Sequence, residues 1–394
     1  MTERVGVTVL GATGSVGKQT LEVLQAFPER FQLVGMAAHR DVDTMLELVN
    51  RYRPRAVAMA DSRAARALST RLEGRLSVDE GPESLVRLAR ATEAEVVVAA
   101  LVGSAGVPSV FAAVQAGKRV ALANKESLVM AGELIMAEAR RSGARILPVD
   151  SEHAAAHQLL QTLRPAHLTR LWLTASGGPF LGRSPAELAG VTVAEALAHP
   201  RWTMGAKISI DSATMMNKGF EVIEARWLFD LDESRIGVVI HPESLIHAMV
   251  ETVDGAVLAQ LARPDMRGPI AYALAHPDRL DLPGRFGDGV PLEFGVNVPS
   301  LGFVDASAEA AHPALALCRL ALRTGGGLSA ALASADDVVV EAFLQKQIGF
   351  NRITEILTEV AERFRPRPIG DLQDMGRASS EGEELARALC VRHS

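Results

Sequence analysis

The chain's 394 residues, 48% hydrophobic and 22% charged, suffice for two or three domains with buried cores and exclude a disordered chain. A net charge of −6, from 41 basic and 47 acidic side chains, gives no footprint for nucleic acid or an anionic membrane, so a small molecule is the expected partner. No stretch approaches the roughly 18 apolar residues of a membrane span. With only Cys318 and Cys390, a disulfide framework or thiolate metal site is excluded, and a reducing, cytoplasmic setting is expected.

Residues 5–10, Val-Gly-Val-Thr-Val-Leu, are a β-branched run ending in a glycine-rich turn, and Val16 to Phe27 follows with a helical period. No basic leader with an apolar core precedes this strand. Apolar stretches recur at 32–37, 56–59, 96–101, 119–122 and 145–149, with helix-length segments between most of them. Alternating strand and helix predicts a parallel, doubly wound sheet over 1–149. A helical segment at 153–163, a strand at 169–174 and strand-like runs at 238–241, 248–253 and 256–261 predict an α+β domain over 150–280 with an antiparallel component. Within it, residues 180–206 show no sustained period, which in so long a segment points to a lid. Residues 281–312, rich in proline, read as a linker, and 313–394 as a C-terminal helical bundle.

Gly11-Ala-Thr-Gly-Ser-Val-Gly17 joins a strand to a helix, so backbone N–H groups and the helix dipole converge where a pyrophosphate could sit. A tight turn without ligand would read the same way. The next strand runs out at His39-Arg40-Asp41, where an NAD site would carry an acid for the ribose diol. Arg40 there favours a 2′-phosphate, hence NADPH over NADH, while Asp41 could pair with Arg40 or touch a ribose hydroxyl.

Asp150, Ser151 and Glu152 follow the 145–149 strand, and in an extended stretch Asp150 and Glu152 would point the same way. Two convergent carboxylates call for a cation or a proton, though Asp150 or Ser151 could equally cap the helix that follows. Between 208 and 221, Ser212, Asn217, Lys218 and Glu221 gather donors that suit a phosphate monoester. Glu221 falls one step off the face of Phe220, Ile223 and Trp227 and is available as an oxygen ligand, whereas Glu224 reads as surface charge or a partner for Arg226. Hard oxygen ligands without cysteine favour Mg²⁺ or Mn²⁺. Lys125, one of six lysines against 35 arginines, reads as a substrate contact or an exposed loop lysine. His199-Pro-Arg-Trp-Thr-Met-Gly205 reads as the closing part of the lid, with Trp202 as ordinary core the alternative, and His241 and His247 read as structural.

Together, Gly-Ala-Thr-Gly-Ser-Val-Gly at 11–17, Leu-Ala-Asn-Lys-Glu-Ser at 122–127, Pro-Val-Asp-Ser-Glu-His at 148–153, Ala-Ser-Gly-Gly-Pro-Phe at 175–180, His-Pro-Arg-Trp-Thr-Met-Gly at 199–205 and Asp-Ser-Ala-Thr-Met-Met-Asn-Lys-Gly at 211–219 resemble the 1-deoxy-D-xylulose 5-phosphate reductoisomerases. His241 to His247 and Arg263 to Arg267 continue the likeness, which spans the chain. The resemblance implies a Rossmann-like NADPH-binding domain, a central catalytic domain with a lid and a C-terminal helical domain. It also implies a homodimer acting on a small phosphorylated sugar, isomerising and reducing 1-deoxy-D-xylulose 5-phosphate to 2-C-methyl-D-erythritol 4-phosphate in non-mevalonate isoprenoid synthesis. Asp150, Glu152 and Glu221 would then hold Mg²⁺ or Mn²⁺, with Co²⁺ a further candidate. Lys125, Glu152 and His199 would be catalytic. Ser151, Lys125 and Asn217 would contact hydroxyls, and Ser176, His199, Ser212, Asn217 and Lys218 would cradle the phosphate under Trp202 and Met204. Thr13, Gly14, Ser15, Val16, His39, Arg40, Asp41, Asn124, Glu126 and Gly205 would line the NADPH.

Three departures stand out: His39-Arg40-Asp41 replaces the family's usual Gly-Lys-Asn, Ala206 a basic residue, and Asp336-Asp337 an Asn-Glu pair. The rival enzymatic reading is another Rossmann-type NADPH-dependent aldehyde reductase or a semialdehyde dehydrogenase. The latter needs a cysteine nucleophile in its catalytic domain, and both cysteines fall in the C-terminal part. A nucleotide-sensing regulator would have no use for convergent carboxylates beside a phosphate cradle.

Overall fold

The computed structural model describes residues 4–202, 204–282, 292–295, 298, 300–306 and 312–393. Much of the expected linker, namely 283–291, 296, 297, 299 and 307–311, lies outside the described residues, as does Thr203 of the expected lid. The chain divides into two units: Met1–Ser127, Ile135–Ala154 and Asp265–Pro291 form the first, and Leu128–Leu134, Ala155–Pro264 and Leu292–Ser394 the second.

The first unit is built on seven strands, β1 (Val5–Leu10), β2 (Phe31–Ala38), β3 (Ala56–Met59), β4 (Val78–Glu80), β5 (Val96–Ala99), β6 (Arg119–Leu122) and β7 (Arg145–Pro148). They pair in the order β4-β3-β2-β1-β5-β6-β7, every pair parallel. The expected doubly wound sheet is therefore present. Helices cover both faces of such a sheet, which is why its strands read as continuous apolar runs: Val7, Val9, Val96, Val97 and Val98 are all fully buried. β4 has no counterpart in the sequence reading, because three residues at a sheet edge are too few to display a period. The helix Arg267–Ala275 adds Ile270 and Leu274 to this core, and the Arg119 guanidinium donates to the carbonyls of Leu274 and His276, each at 3.1 Å.

The second unit holds a five-stranded sheet in the order β11-β10-β8-β9-β12: β8 (Leu168–Ala175), β9 (Ile236–Ile240), β10 (Ile246–Thr252), β11 (Val257–Leu261) and β12 (Val304–Asp305). Only β8 and β9 run parallel, and the other pairs are antiparallel, as an α+β reading requires. Two helices, Ala206–Thr214 and Met216–Phe229, are separated by Met215 alone, whose left-handed backbone (φ +67°) ends the first and redirects the second. Four C-terminal helices, Pro313–Thr324, Leu328–Leu344, Phe350–Arg363 and Leu372–His393, complete the unit.

Segment 180–206 is not devoid of secondary structure. It carries two one-turn helices, Pro185–Leu188 and Val193–Leu197. Each starts at a capping box: the Glu187 carboxylate accepts from the Ser184 N–H at 2.7 Å, and that of Glu195 from the Thr192 N–H at 2.9 Å. Elements this short have no hydrophobic period, and their only signal was the Ser-x-x-Glu and Thr-x-x-Glu spacing.

Candidate functional site

In the first unit the strand order reverses between β1 and β5, and open α/β sheets bind ligands outside the carboxyl ends of their strands at such a point. The glycine-rich turn leaves β1 at this edge. Gly11 (φ +88°) approaches so closely that a Cβ would lie 2.2 Å from the Ala100 carbonyl oxygen, and a Cβ on Gly17 would lie 2.2 Å from that of Gly11. These glycines are demanded by packing. The helix Ser15–Ala26 starts from Gly14, which offers no side chain to cap it, and its first turn contains no acidic residue, so its N–H groups and positive dipole end stay suited to an anion. Thr13 and Val16 are half-buried, Gly14 and Ser15 exposed.

At the end of β2, His39 and Arg40 are exposed. Asp41 is the N-cap of the next helix, accepting from the Thr44 N–H at 3.1 Å, which explains an acid beside Arg40 without a ligand. After β6, fully buried Asn124 donates to the Leu101 carbonyl at 2.9 Å, the Gly103 carbonyl at 3.1 Å and Glu126 at 2.8 Å. Glu126 in turn accepts from the Gly103 N–H at 3.1 Å. The two side chains clasp the loops that follow β5 and β6, so they shape this edge of the sheet.

Lys125, next to Asn124, is 8% exposed and places its ammonium 2.7 Å from Asp150. It is no exposed loop lysine. Asp150 follows β7 and Glu152 already lies in the helix Ser151–Leu160, so the alternation of an extended strand does not apply to them. They converge all the same, with carboxylate oxygens within 4.8 Å of one another, because the strand-to-helix turn folds one back towards the other. The Ser151 hydroxyl donates to Glu152. Two convergent carboxylates offer the hard oxygen ligands that a divalent cation prefers, so these donors fit the implied metal.

In the second unit, the turn after β8 carries Ser176. Gly178 (φ +65°) lies so near the helix Ala206–Thr214 that a Cβ there would meet the Ser212 carbonyl oxygen at 2.8 Å, so the turn that carries Ser176 packs against the helix that carries Ser212. The Ser176 hydroxyl lies 2.9 Å from Nε2 of His199. The His199 Nδ1 accepts from the backbone N–H groups of Arg201 at 3.2 Å and Trp202 at 3.0 Å, so the proton of the neutral ring belongs on Nε2, which donates to Ser176. Burial lowers the His199 pKa and favours this neutral form. Trp202 and Met204 are half-buried, and the Trp202 ring lies 6.5 Å from that of His247. Gly205 is exposed and begins the helix Ala206–Thr214.

On the helix Met216–Phe229, Asn217, Lys218 and Glu221 share one face through i,i+3 and i,i+4 spacing. Asn217 donates to one oxygen of Glu221 at 2.5 Å and Lys218 to the other. Lys218 and Glu221 are 4% and 1% exposed. Glu224 departs from its sequence reading: it is fully buried, and Arg226 pairs with Asp230 at 3.0 Å. Its position three residues after Glu221 was the available signal. Cys318 is fully buried and Cys390 nearly so, and burial pushes both thiols up, Cys318 far above its ordinary value. Neither suits a nucleophile, so the cysteine that a semialdehyde dehydrogenase requires is not supplied.

The first unit is thus a dinucleotide-binding fold with a carboxylate pair at its ligand edge, and the second an α+β unit with hydroxyl, amide and ammonium donors. Residues 7–132 match 1-deoxy-D-xylulose 5-phosphate reductoisomerase, residues 146–229 its C-terminal domain, and residues 261–385 the DXP reductoisomerase C-terminal domain. A reductoisomerase of Anaeromyxobacter dehalogenans is 47% identical over 382 residues, 96% of each chain. Among solved structures, the enzyme from Zymomonas mobilis in complex with NADPH is 38% identical with a TM-score of 0.89, covering 98% of this chain and 99% of that one. A reductoisomerase in complex with NADPH, fosmidomycin and magnesium is 39% identical with a TM-score of 0.89, covering 98% of both chains. The chain belongs to the 1-deoxy-D-xylulose 5-phosphate reductoisomerase family.

Proposed function

We propose that the protein isomerises 1-deoxy-D-xylulose 5-phosphate and reduces the product to 2-C-methyl-D-erythritol 4-phosphate, with NADPH and Mg²⁺ or Mn²⁺, for non-mevalonate isoprenoid synthesis. The observation that carries this reading is the set of hard oxygen donors beside Lys125 and Lys218, with Glu221 buried and Asp150 and Glu152 half-buried, in a chain that matches reductoisomerases over 96% of its length. Asp150, Glu152 and Glu221 are the metal ligands in this reading. A divalent ion held by them would stabilise negative charge on the substrate's oxygens, worth several kcal/mol, and the nicotinamide would supply hydride.

The chain's own groups do the rest. Lys125 and Glu152 hold and move the proton of a substrate hydroxyl as the carbon skeleton rearranges, and Ser151 and Asn217 orient the hydroxyls. Ser176, His199, Ser212, Asn217 and Lys218 bind the phosphate, where the Nε2 proton of His199 makes it a donor without a net charge. Trp202 and Met204 cover the substrate and exclude water. The N–H groups from Thr13 to Val16 take the pyrophosphate, Arg40 takes the 2′-phosphate beside His39 and Asp41, and Asn124, Glu126 and Gly205 complete the cofactor's surroundings. Residues 1–149 serve the cofactor, 150–280 the metal and substrate, and 313–394 form the helical domain.

The working form in this reading is a homodimer in the cytoplasm. Its support is β11, an outermost strand with Val257 54% and Leu258 39% exposed. Among the described residues, no helix is long and apolar enough to cross a membrane. The deciding experiment is NADPH oxidation by the purified protein. Turnover should require both the sugar phosphate and Mg²⁺ or Mn²⁺ and stop in EDTA, and turnover that persists in EDTA removes the metal from the mechanism.

A further inference from the structure

A second ionic cluster in the second unit belongs to none of the residues assigned above. The Lys207 ammonium donates to Asp211 at 2.6 Å and to Asp336 at 2.6 Å, and lies 3.5 Å from Asp337. Asp211 is 4% exposed and Asp336 is fully buried. The two carboxyls meet at one ammonium, yet Oδ1 of each accepts no hydrogen bond from any described group. Lone acceptors cannot satisfy one another. One proton between the carboxyls makes a donor of one and an acceptor of the other, and reduces the charge from two carboxylates against one ammonium to a balanced pair.

We propose that Lys207, Asp211 and Asp336 form a latch containing one shared proton, which holds the helix Ala206–Thr214, and with it Ser212, against the helix Leu328–Leu344. All three are positioning residues for the phosphate-binding hydroxyl, and this rests on the assignment of Ser212 to the phosphate. The surroundings agree: burial and the neighbouring Asp336 push the Asp211 carboxyl well above the usual carboxylate range, opposed by Lys207. The other groups facing the latch are Asp337, the Phe220 ring 5.4 Å from the ammonium, and Cys318, whose raised thiol feels both carboxyls as well as Lys207 and Arg319. An amide in place of Asp336 would donate to Asp211 without a shared proton.

The test uses the full chain and Asp336→Asn, Asp336→Ala and Ser212→Ala. Infrared spectra at neutral pH should show a protonated-carboxyl band in the wild type that is lost in Asp336→Asn. A carboxyl with a raised folded pKa loses its stabilising contribution as pH rises, so the Tm of the wild type should fall relative to Asp336→Asn as pH is raised above the ordinary carboxylate range. Asp336→Asn should keep KM near wild type, and Asp336→Ala should raise it by about tenfold with a smaller change in kcat. Absence of the band together with parallel Tm curves overturns the latch, as does an Asp336→Ala variant with wild-type KM. If Ser212→Ala alone leaves KM unchanged, the phosphate assignment fails and with it the positioning role, whereas band and Tm still judge the shared proton.

Discussion

Lys218 and Lys207 both bind carboxylates inside the second unit, at opposite extremes of sequence separation. Lys218, Asn217 and Glu221 lie within about one turn of a single helix, with the ammonium and the amide both on the Glu221 carboxylate. Lys207 reaches Asp211 on its own helix and Asp336 at a separation of 129 positions, with one ammonium to two carboxylates. A local cluster is held in shape by its helix, so a ligand could take over its donors and acceptors while the fold stands. A non-local cluster spends the same groups on joining helices. In the proposed reading, identical residue types serve chemistry in one place and architecture in the other.

Four measurements would break or sharpen that contrast. Glu221→Gln should cost about a thousandfold in turnover if Glu221 is a metal ligand at the point of charge development, with NADPH affinity nearly intact. A near-wild-type rate would take Glu221 out of the site. Lys218→Met should raise KM by about a hundredfold and, by removing the ammonium beside buried Glu221, cost about 3 kcal/mol of stability in denaturant unfolding. If stability drops while KM holds, Lys218 belongs with Lys207 as an architectural lysine. Arg40→Ala, at an exposed position outside both clusters, should weaken NADPH by about tenfold and NADH hardly at all in fluorescence titrations. Equal losses for both cofactors would refute the 2′-phosphate contact.

The smallest effect concerns His199. Burial favours its neutral form, so below its ordinary value of 6.5 the unfolded chain binds a proton that the folded chain resists, and stability of the turn falls as pH drops. Protonated Nδ1 can no longer accept from Arg201 and Trp202. The intrinsic fluorescence of the free protein should therefore change on acidification below about pH 6.5 through a component missing from Trp202→Phe. A flat profile would show that His199 does not hold this turn.

The strand, glycine turn and helix over residues 5–26 were legible because each step is local: β-branched residues, glycines at positions a Cβ would block, then a helical period. Asn217, Lys218 and Glu221 were legible for the same reason. Asp150 and Glu152 were found on an argument that does not hold, since Glu152 is helical and its convergence with Asp150 comes from the turn between strand and helix. Glu224 was misread because whether a helical face meets solvent or protein depends on what packs against it. The one-turn helices of segment 180–206 escaped because four or five residues cannot establish a period.

The sequence by itself determined the parallel sheet, the nucleotide turn and the residue types of the chemistry, because periodicity, glycine spacing and strand-end positions act over a few residues. Tertiary structure alone decided which charges are buried and how they are shared: that Lys125 pairs with Asp150, that Asn124 and Glu126 clasp two loops, and that Asp336 returns to Lys207. Burial and the pairing it forces are properties of what surrounds a residue in space, and a carboxylate enclosed by distant parts of the chain has no local pattern to announce it.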